Sequence, residues 1–251
     1  MAINAVARNA ARWSEAEWQA RLDLAACYRL ADRFGFSDII WNHITAKIPG
    51  GDEQFLLNRM GLRYDEITAS NLIKVDGEGN VLDGPDDVNI TGFIIHNAIH
   101  QARPDIHVIF HSHAEEALAV TALEEGLMPL TQDAAMLWKN VAYHEWEGIS
   151  IDPSERERLA ASLGDKKVMI MRNHGLITCG KSAGEAFILM HYLNRACKVQ
   201  LQALATGRKL HMPDPATWQQ AAKQYSHFEP GVHEWPALVR LLDKEDPSYR
   251  D

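Results

Sequence analysis

Three histidines in this chain stand where their side chains could meet. His111-Ser112-His113 closes a short apolar run, His107-Val108-Ile109-Phe110, that reads as a buried strand. In an extended strand, residues i and i+2 project from the same face, so both imidazoles can converge on one ion where the strand meets a loop. His174 follows a second buried run, Val168-Met169-Ile170-Met171, in the segment Arg172-Asn173-His174-Gly175. The three come together if the two strands are neighbours. Three neutral imidazoles suit zinc, iron or manganese and leave a coordination position open, as a catalytic centre requires. Gly175 would let the backbone approach closely. His96 and His100, spaced i, i+4 on one helix face, are an alternative pair of ligands.

The elements that must position these groups follow from periodicity. Ser14-x-x-Glu17 fits a capping box, and Leu22, Leu24, Ala25, Cys27, Leu30 and Ala31 mark an amphipathic helix ended by Gly35. Residues Asp38 to Ile48 are β-rich, and Phe55 to Leu57 starts another strand. Leu72 to Val75 and Val81-Leu82 flank a hairpin turn at Asp76-Gly77-Glu78-Gly79-Asn80. Helices are expected over Thr91–Ala102, Ala114–Leu123, Asp152–Leu163 and Gly184–Thr206. Further strands are expected at Val141–His144 and Leu176–Cys179. Residues 1–13 read as a loose arm. The tail from Pro213 reads as an appendage with a short helical pattern near Trp218 to Tyr225. Helices alternating with strands predict one α/β or α+β domain, a mixed sheet with helices on its faces, over residues 1–251, with its core at about 20–208 and the appendage at about 209–251.

Composition narrows the partners. The net charge of −9 and the scattered Lys and Arg argue against nucleic acid. No apolar run approaches the ~20 residues that span a bilayer, so no membrane partner is expected. The N-terminus shows no signal-peptide core. Cys27, Cys179 and Cys197 form no disulfide framework, which fits a reducing, cytoplasmic setting. Trp138, Trp146, Trp218 and Trp235 are candidate residues of a subunit interface.

Several motifs, in order, resemble the class II aldolase/adducin family over about residues 20–208. They are Asn42-His43-Ile44-Thr45, Gly61 to Ser70, Gly92-Phe93-Ile94-Ile95-His96, Ala102-Arg103-Pro104-Asp105, His111-Ser112-His113 and Arg172-Asn173-His174-Gly175. The resemblance implies a three-layer α/β/α sandwich with a mixed, largely antiparallel central sheet, and a homotetramer. It also implies a divalent metal, typically zinc, on His111, His113 and His174, with a small-molecule substrate beside it.

The departures from the family pattern shape the functional expectation. In fuculose-phosphate aldolase and its relatives, a metal-binding glutamate that moves the proton lies four residues before the histidine matching His96. Here that position is Gly92. Of the sugar-phosphate cradle, Trp41-Asn42, Met60 before Gly61, and Ile90-Thr91 replace smaller or hydroxyl-bearing pairs, which disfavours a phosphosugar. Arg59 and Arg63 suit a carboxylate instead. Asn42, Arg59, Gly61, Arg63 and Thr91 are therefore the candidate substrate contacts, and Asp133, His144 and Glu145 the candidate proton carriers. The leading expectation is a metal-dependent lyase for aldol cleavage or decarboxylation of a small, non-phosphorylated hydroxy- or oxo-carboxylate. The alternatives are a catalytically silent oligomeric module like the adducin head, which the Gly92-Phe93 and Gly61-Leu62-Arg63-Tyr64 segments resemble, and a three-histidine iron oxygenase.

Overall fold

Eight strands pair into one sheet in a computed structural model that describes residues 12–50, 53–148 and 154–251; the side chains of residues 90, 91 and 139 lie outside that description. In chain order the elements are α1 (Glu15–Arg33), β1 (His43–Lys47), β2 (Phe55–Leu57), β3 (Ile73–Val75), β4 (Val81–Asp83), α2 (Ile90–Ala102), β5 (Val108–Ser112), α3 (Glu115–Thr121), α4 (Gln132–Leu137), β6 (Val141–His144), α5 (Glu155–Leu163), β7 (Val168–Met171), β8 (Gly175–Gly180), α6 (Ala183–Ala205), α7 (Pro215–Tyr225) and α8 (Glu234–Glu245). The sheet order is β4-β3-β2-β1-β5-β8-β7-β6. Every neighbouring pair is antiparallel except β6 and β7. This is the mixed, largely antiparallel sheet that the family resemblance implies.

Strand alternation sorts the side chains into two layers. Val108, Phe110, Val168, Ile170 and Leu176 pack with residues of α1, α3 and α6 on one face. Ile109, Met169, Met171, Ile177 and Cys179 pack with Ile95 and Ile99 of α2 and Leu159 and Leu163 of α5 on the other. Helices cover both faces, and the central strands are buried along their length, which explains their unbroken apolar runs. His111 follows Ile109 by two residues and so faces the α2 layer.

Several local expectations are revised. Ser14 caps α1 by accepting from the Glu17 backbone N–H at 3.1 Å, but the Glu17 carboxylate does not close the capping box. It binds Arg21, whose fully buried guanidinium needs that compensation. Trp13 is no loose arm, because its indole stacks on Trp18 and donates to Asp83; the rest of the expected arm, residues 1–11, lies outside the described residues. The strand expected from Asp38 begins only at His43. Ile39 has φ 48° and is exposed, and the Trp41 N–H closes a turn onto the Asp38 carbonyl at 2.8 Å. The helix expected from Asp152 is described from Glu155; residues 149–153 lie outside the description.

The tail holds a helix the sequence reading missed. Pro236 sits in the first turn of α8, where a missing N–H costs no intrahelical bond. Trp235 packs against Gly184, and the closing turn Pro247–Arg250 buries Tyr249 and returns to the core through Ala69 N–H and the Tyr249 carbonyl at 2.9 Å. Trp218 is buried beside Trp138, so Trp218 and Trp235 are packed within the chain. Among the described residues no helix is long and apolar enough to cross a membrane.

Candidate metal centre

β5 and β7 are not neighbours; β8 lies between them. The three histidines meet because β8 pairs with β5 and the tight β7–β8 turn carries His174 back over the end of β5. Asn173, at φ 55°, makes that turn possible, since asparagine tolerates the left-handed region better than most residues. Gly175 follows. A Cβ there would stand 2.7 Å from the Ser112 carbonyl oxygen, 2.9 Å from His113 Cδ2 and 3.1 Å from His111 Cε1. The backbone approach anticipated for Gly175 is therefore a condition of the histidine packing.

One ring nitrogen from each of His111, His113 and His174 lies within 4.8 Å of the others. The partners of the remaining nitrogens fix two tautomers. His111 Nδ1 is 2.9 Å from the Leu176 carbonyl oxygen, and His113 Nδ1 is 2.9 Å from Asp38 Oδ2. Both oxygens only accept, so each Nδ1 carries the proton and each Nε2 keeps its lone pair. Those two Nε2 atoms face each other at 2.9 Å. Two acceptors at that distance repel unless a cation lies between them, and orientation of ligand imidazoles by backbone and carboxylate acceptors is the usual support of a metal site. The donor set therefore fits a divalent ion with nitrogen preference. Burial, reinforced by the neighbouring imidazoles, holds His111 well below the ordinary histidine range and His174 at about 4. Both are neutral near pH 7, the form a metal needs.

The three histidines floor a cavity of about 360 Å³. Trp41 and Trp146 stand at its rim, 56% and 60% exposed. Asp38, His43, Asn89 and Gly92 complete much of the lining, and no Lys or Arg is among the described lining residues. Asn89 also caps α2 by accepting from the Gly92 N–H at 3.3 Å.

The other sequence candidates fall elsewhere. Arg59 makes two hydrogen bonds to Asp87, at 2.9 and 2.8 Å, and Arg63 pairs with Asp65; neither lines the cavity. Asn42 is buried with its amide unpartnered among the described residues, and Gly61 serves a turn at φ 89°. Thr91 lies in the first turn of α2, its side chain outside the described residues. Asp133 pairs with Arg195 at 2.7 Å. His144 is buried behind the cavity with its Nδ1 3.0 Å from Ser162 Oγ, close enough to oppose protonation of His174. Glu145 is exposed and does not line the cavity. His96 and His100 do not form a metal pair; both share Thr45 Oγ1, at 2.9 and 3.0 Å.

Two groups at the site were not singled out from the sequence. Asp38 orients His113, and its turn residues carried no metal spacing. His43 sits opposite His111 in the β1–β5 register. It lay within the Asn42-His43-Ile44-Thr45 motif, but its place beside His111 follows only from cross-strand pairing, which one sequence does not display.

A family profile described as the class II aldolase and adducin N-terminal domain matches residues 22–201. A crystal structure of an aldolase II superfamily protein from Pseudomonas syringae superposes with a TM-score of 0.91 at 45% identity, covering 96% of this chain and 98% of that one. The structure of L-fuculose 1-phosphate aldolase from Glaciozyma antarctica gives a TM-score of 0.84 at 30% identity, covering 95% and 94%. Alpha-adducin of Rattus norvegicus is 41% identical over 243 residues, covering 89% of this chain and 33% of that protein.

Proposed function

The chain belongs to the class II aldolase and adducin N-terminal domain family, and from that premise we propose that it is a metal-dependent lyase. Its substrate is a small, non-phosphorylated hydroxy- or oxo-carboxylate, which it cleaves by retro-aldol chemistry or decarboxylates. The observation that carries this reading is the convergence of His111, His113 and His174, with the Nδ1 protons of His111 and His113 committed to Leu176 and Asp38. A divalent ion on these nitrogens, zinc by preference and iron or manganese on the same donors, would supply a Lewis acid for a substrate carbonyl.

The chain's own residues set what else happens in the cavity. Asp38 and the Leu176 carbonyl hold two rings against rotation, so their lone pairs stay aimed at one point. Trp41 and Trp146 supply apolar walls at the mouth and displace water from the reacting end. With Arg59 and Arg63 paired to Asp87 and Asp65 and no Lys or Arg among the described lining residues, the substrate's carboxylate would be met by the metal ion itself. Self-association as a homotetramer belongs to the same reading, supported by the exposed Ile39, Trp41 and Trp146.

The test is turnover. Protein loaded with zinc or manganese is assayed against small hydroxy- and oxo-acids for carbonyl products or carbon dioxide. Activity should vanish on chelation and in His113→Ala; turnover that survives both contradicts the proposal. A second reading, a silent oligomeric module, is favoured by the similarity to alpha-adducin and by the bare Gly92. Its signature is a folded oligomer that binds no metal. A three-histidine iron oxygenase would instead consume dioxygen when loaded with ferrous iron.

A further inference from the structure

We propose that Trp41 and Trp146 form an aryl subsite at the mouth of the histidine cavity, so that the substrate is a hydroxy- or oxo-carboxylate bearing an aromatic ring. The inference rests on the lyase reading and gives its substrate a second end, with the oxygens at the imidazoles and the ring against the indoles.

The sheet brings the two indoles in from opposite sides. Trp41 precedes the Asn42-His43 entry to β1, which flanks β5. Trp146 follows β6, which closes the far edge of the sheet beyond β7. β1 starts opposite the end of β5, since His43 pairs with His111. β6 runs parallel to β7 and ends opposite Met171, just before the turn that carries His174. Both tryptophans are therefore delivered to the end of the strands where the three histidines meet, and both line the same cavity. Trp41 is held there. Its N–H closes a turn onto the Asp38 carbonyl at 2.8 Å, and the Asp38 carboxylate is bound to His113 at 2.9 Å. Asn42 and His43, the next two residues, are buried. The backbone on both sides of Trp41 is thus tied to the core or to a ligand histidine, while Trp41 itself stays more than half exposed, as does Trp146.

Two large apolar side chains in water at the rim of a cavity mark a binding surface. The rest of the lining suits a flat apolar group. Gly92 and Gly148 present no side chain, Ile95 is aliphatic, and no Lys or Arg is among the described lining residues. Asp38, the carboxylate of that lining, is engaged by His113. An aromatic ring gains from contact with indole beyond the area it buries, whether offset-stacked or edge-on. The cavity of about 360 Å³ lies in the range that organic ligands fill, roughly 300–1,000 Å³, and leaves room beyond a short acid head.

The test uses the cobalt-loaded full chain, followed by visible absorption, with phenyllactate and lactate as probes. The two share the α-hydroxy-acid head and differ by a phenyl group. Phenyllactate should bind more tightly by about tenfold or more. That ratio should fall about three- to tenfold in Trp41→Ala, with cobalt stoichiometry and lactate affinity unchanged, and recover in Trp41→Phe. Equal affinities for the two acids in the unmodified protein, or an unchanged ratio in Trp41→Ala, overturns the inference and leaves the lyase reading standing. An unchanged ratio joined to a lower mass by light scattering overturns it by assigning the indole to a subunit contact. If Trp41→Ala does not fold, Trp146→Ala decides by the same ratio. Failure of the unmodified protein to bind cobalt contradicts the lyase reading and this inference with it.

Discussion

Gly175 and Asn173 carry the tightest demands at the residue scale. A methyl group at position 175 would collide with the backbone oxygen of Ser112 and with the His113 and His111 rings. Gly175→Ala should cost about 1–3 kcal/mol by overpacking and weaken zinc binding at least tenfold, read by thermal melts and a metal titration. Retained affinity would show that the histidines do not need this approach. At Asn173, with φ 55°, Gly should be tolerated and Val should lower stability by roughly 1–2 kcal/mol; equal melting temperatures would contradict the strained turn. The sequence showed His111 and His113 as a pair because i, i+2 spacing is a local property. It showed His174 as a candidate but not how it arrives, since the turn's left-handed residue and the β8–β5 pairing are long-range facts. Arg59 and Arg63 suggested a carboxylate by residue type alone; in the fold each lies beside a carboxylate of its own, Asp87 and Asp65, and outside the described cavity lining.

The β1–α2 contact makes its own prediction at the scale of elements. His100 donates from Nδ1 to the Ile106 carbonyl, so its Nε2 accepts from the Thr45 hydroxyl. Thr45 Oγ1 in turn accepts from His96 Nδ1. The Thr45–His100 link requires a neutral His100, and burial pushes His100 down to about 3 and His96 well below its ordinary range. The unfolded chain, with histidine near 6.5, binds protons that the folded chain refuses. The stabilisation is therefore present above about pH 6.5 and is lost as pH falls toward 3. For His100 alone this amounts to on the order of 2 kcal/mol between pH 7 and 5. Denaturant melts at the two pH values should show His100→Gln losing less stability on acidification than the unmodified chain; an equal loss would contradict the buried neutral chain. The strands β7 and β8 were legible as elements because both are buried on two faces and read as apolar runs. Helix α8 was not, because Pro236 looks like a breaker until its place in the first turn is known. The Asp38–Trp41 turn was hidden by β-forming residues, of which Ile39 is left exposed.

For the whole molecule, the layered architecture follows from sequence pattern, while the strand order β4-β3-β2-β1-β5-β8-β7-β6 does not. Alternation along a strand says which face a side chain takes and nothing about which strand lies beside it. The three-histidine cluster depends on that order, because inserting β8 between β5 and β7 is what brings the His174 turn over His111. The exposed tryptophans at the mouth point to a covered surface. Light scattering should give a mass of about four chains of 28.2 kDa, and Trp146→Asp should lower it; a monomer would contradict the tetramer.

The central claim is that the three imidazoles hold a metal. Elemental analysis of the purified protein beside the His111→Ala/His113→Ala variant tests it directly. About one zinc, iron or manganese per chain, absent from a variant that is still folded, is the predicted result. A folded oligomer with no metal, and none taken up from added zinc, would contradict it and favour the silent adducin-like module.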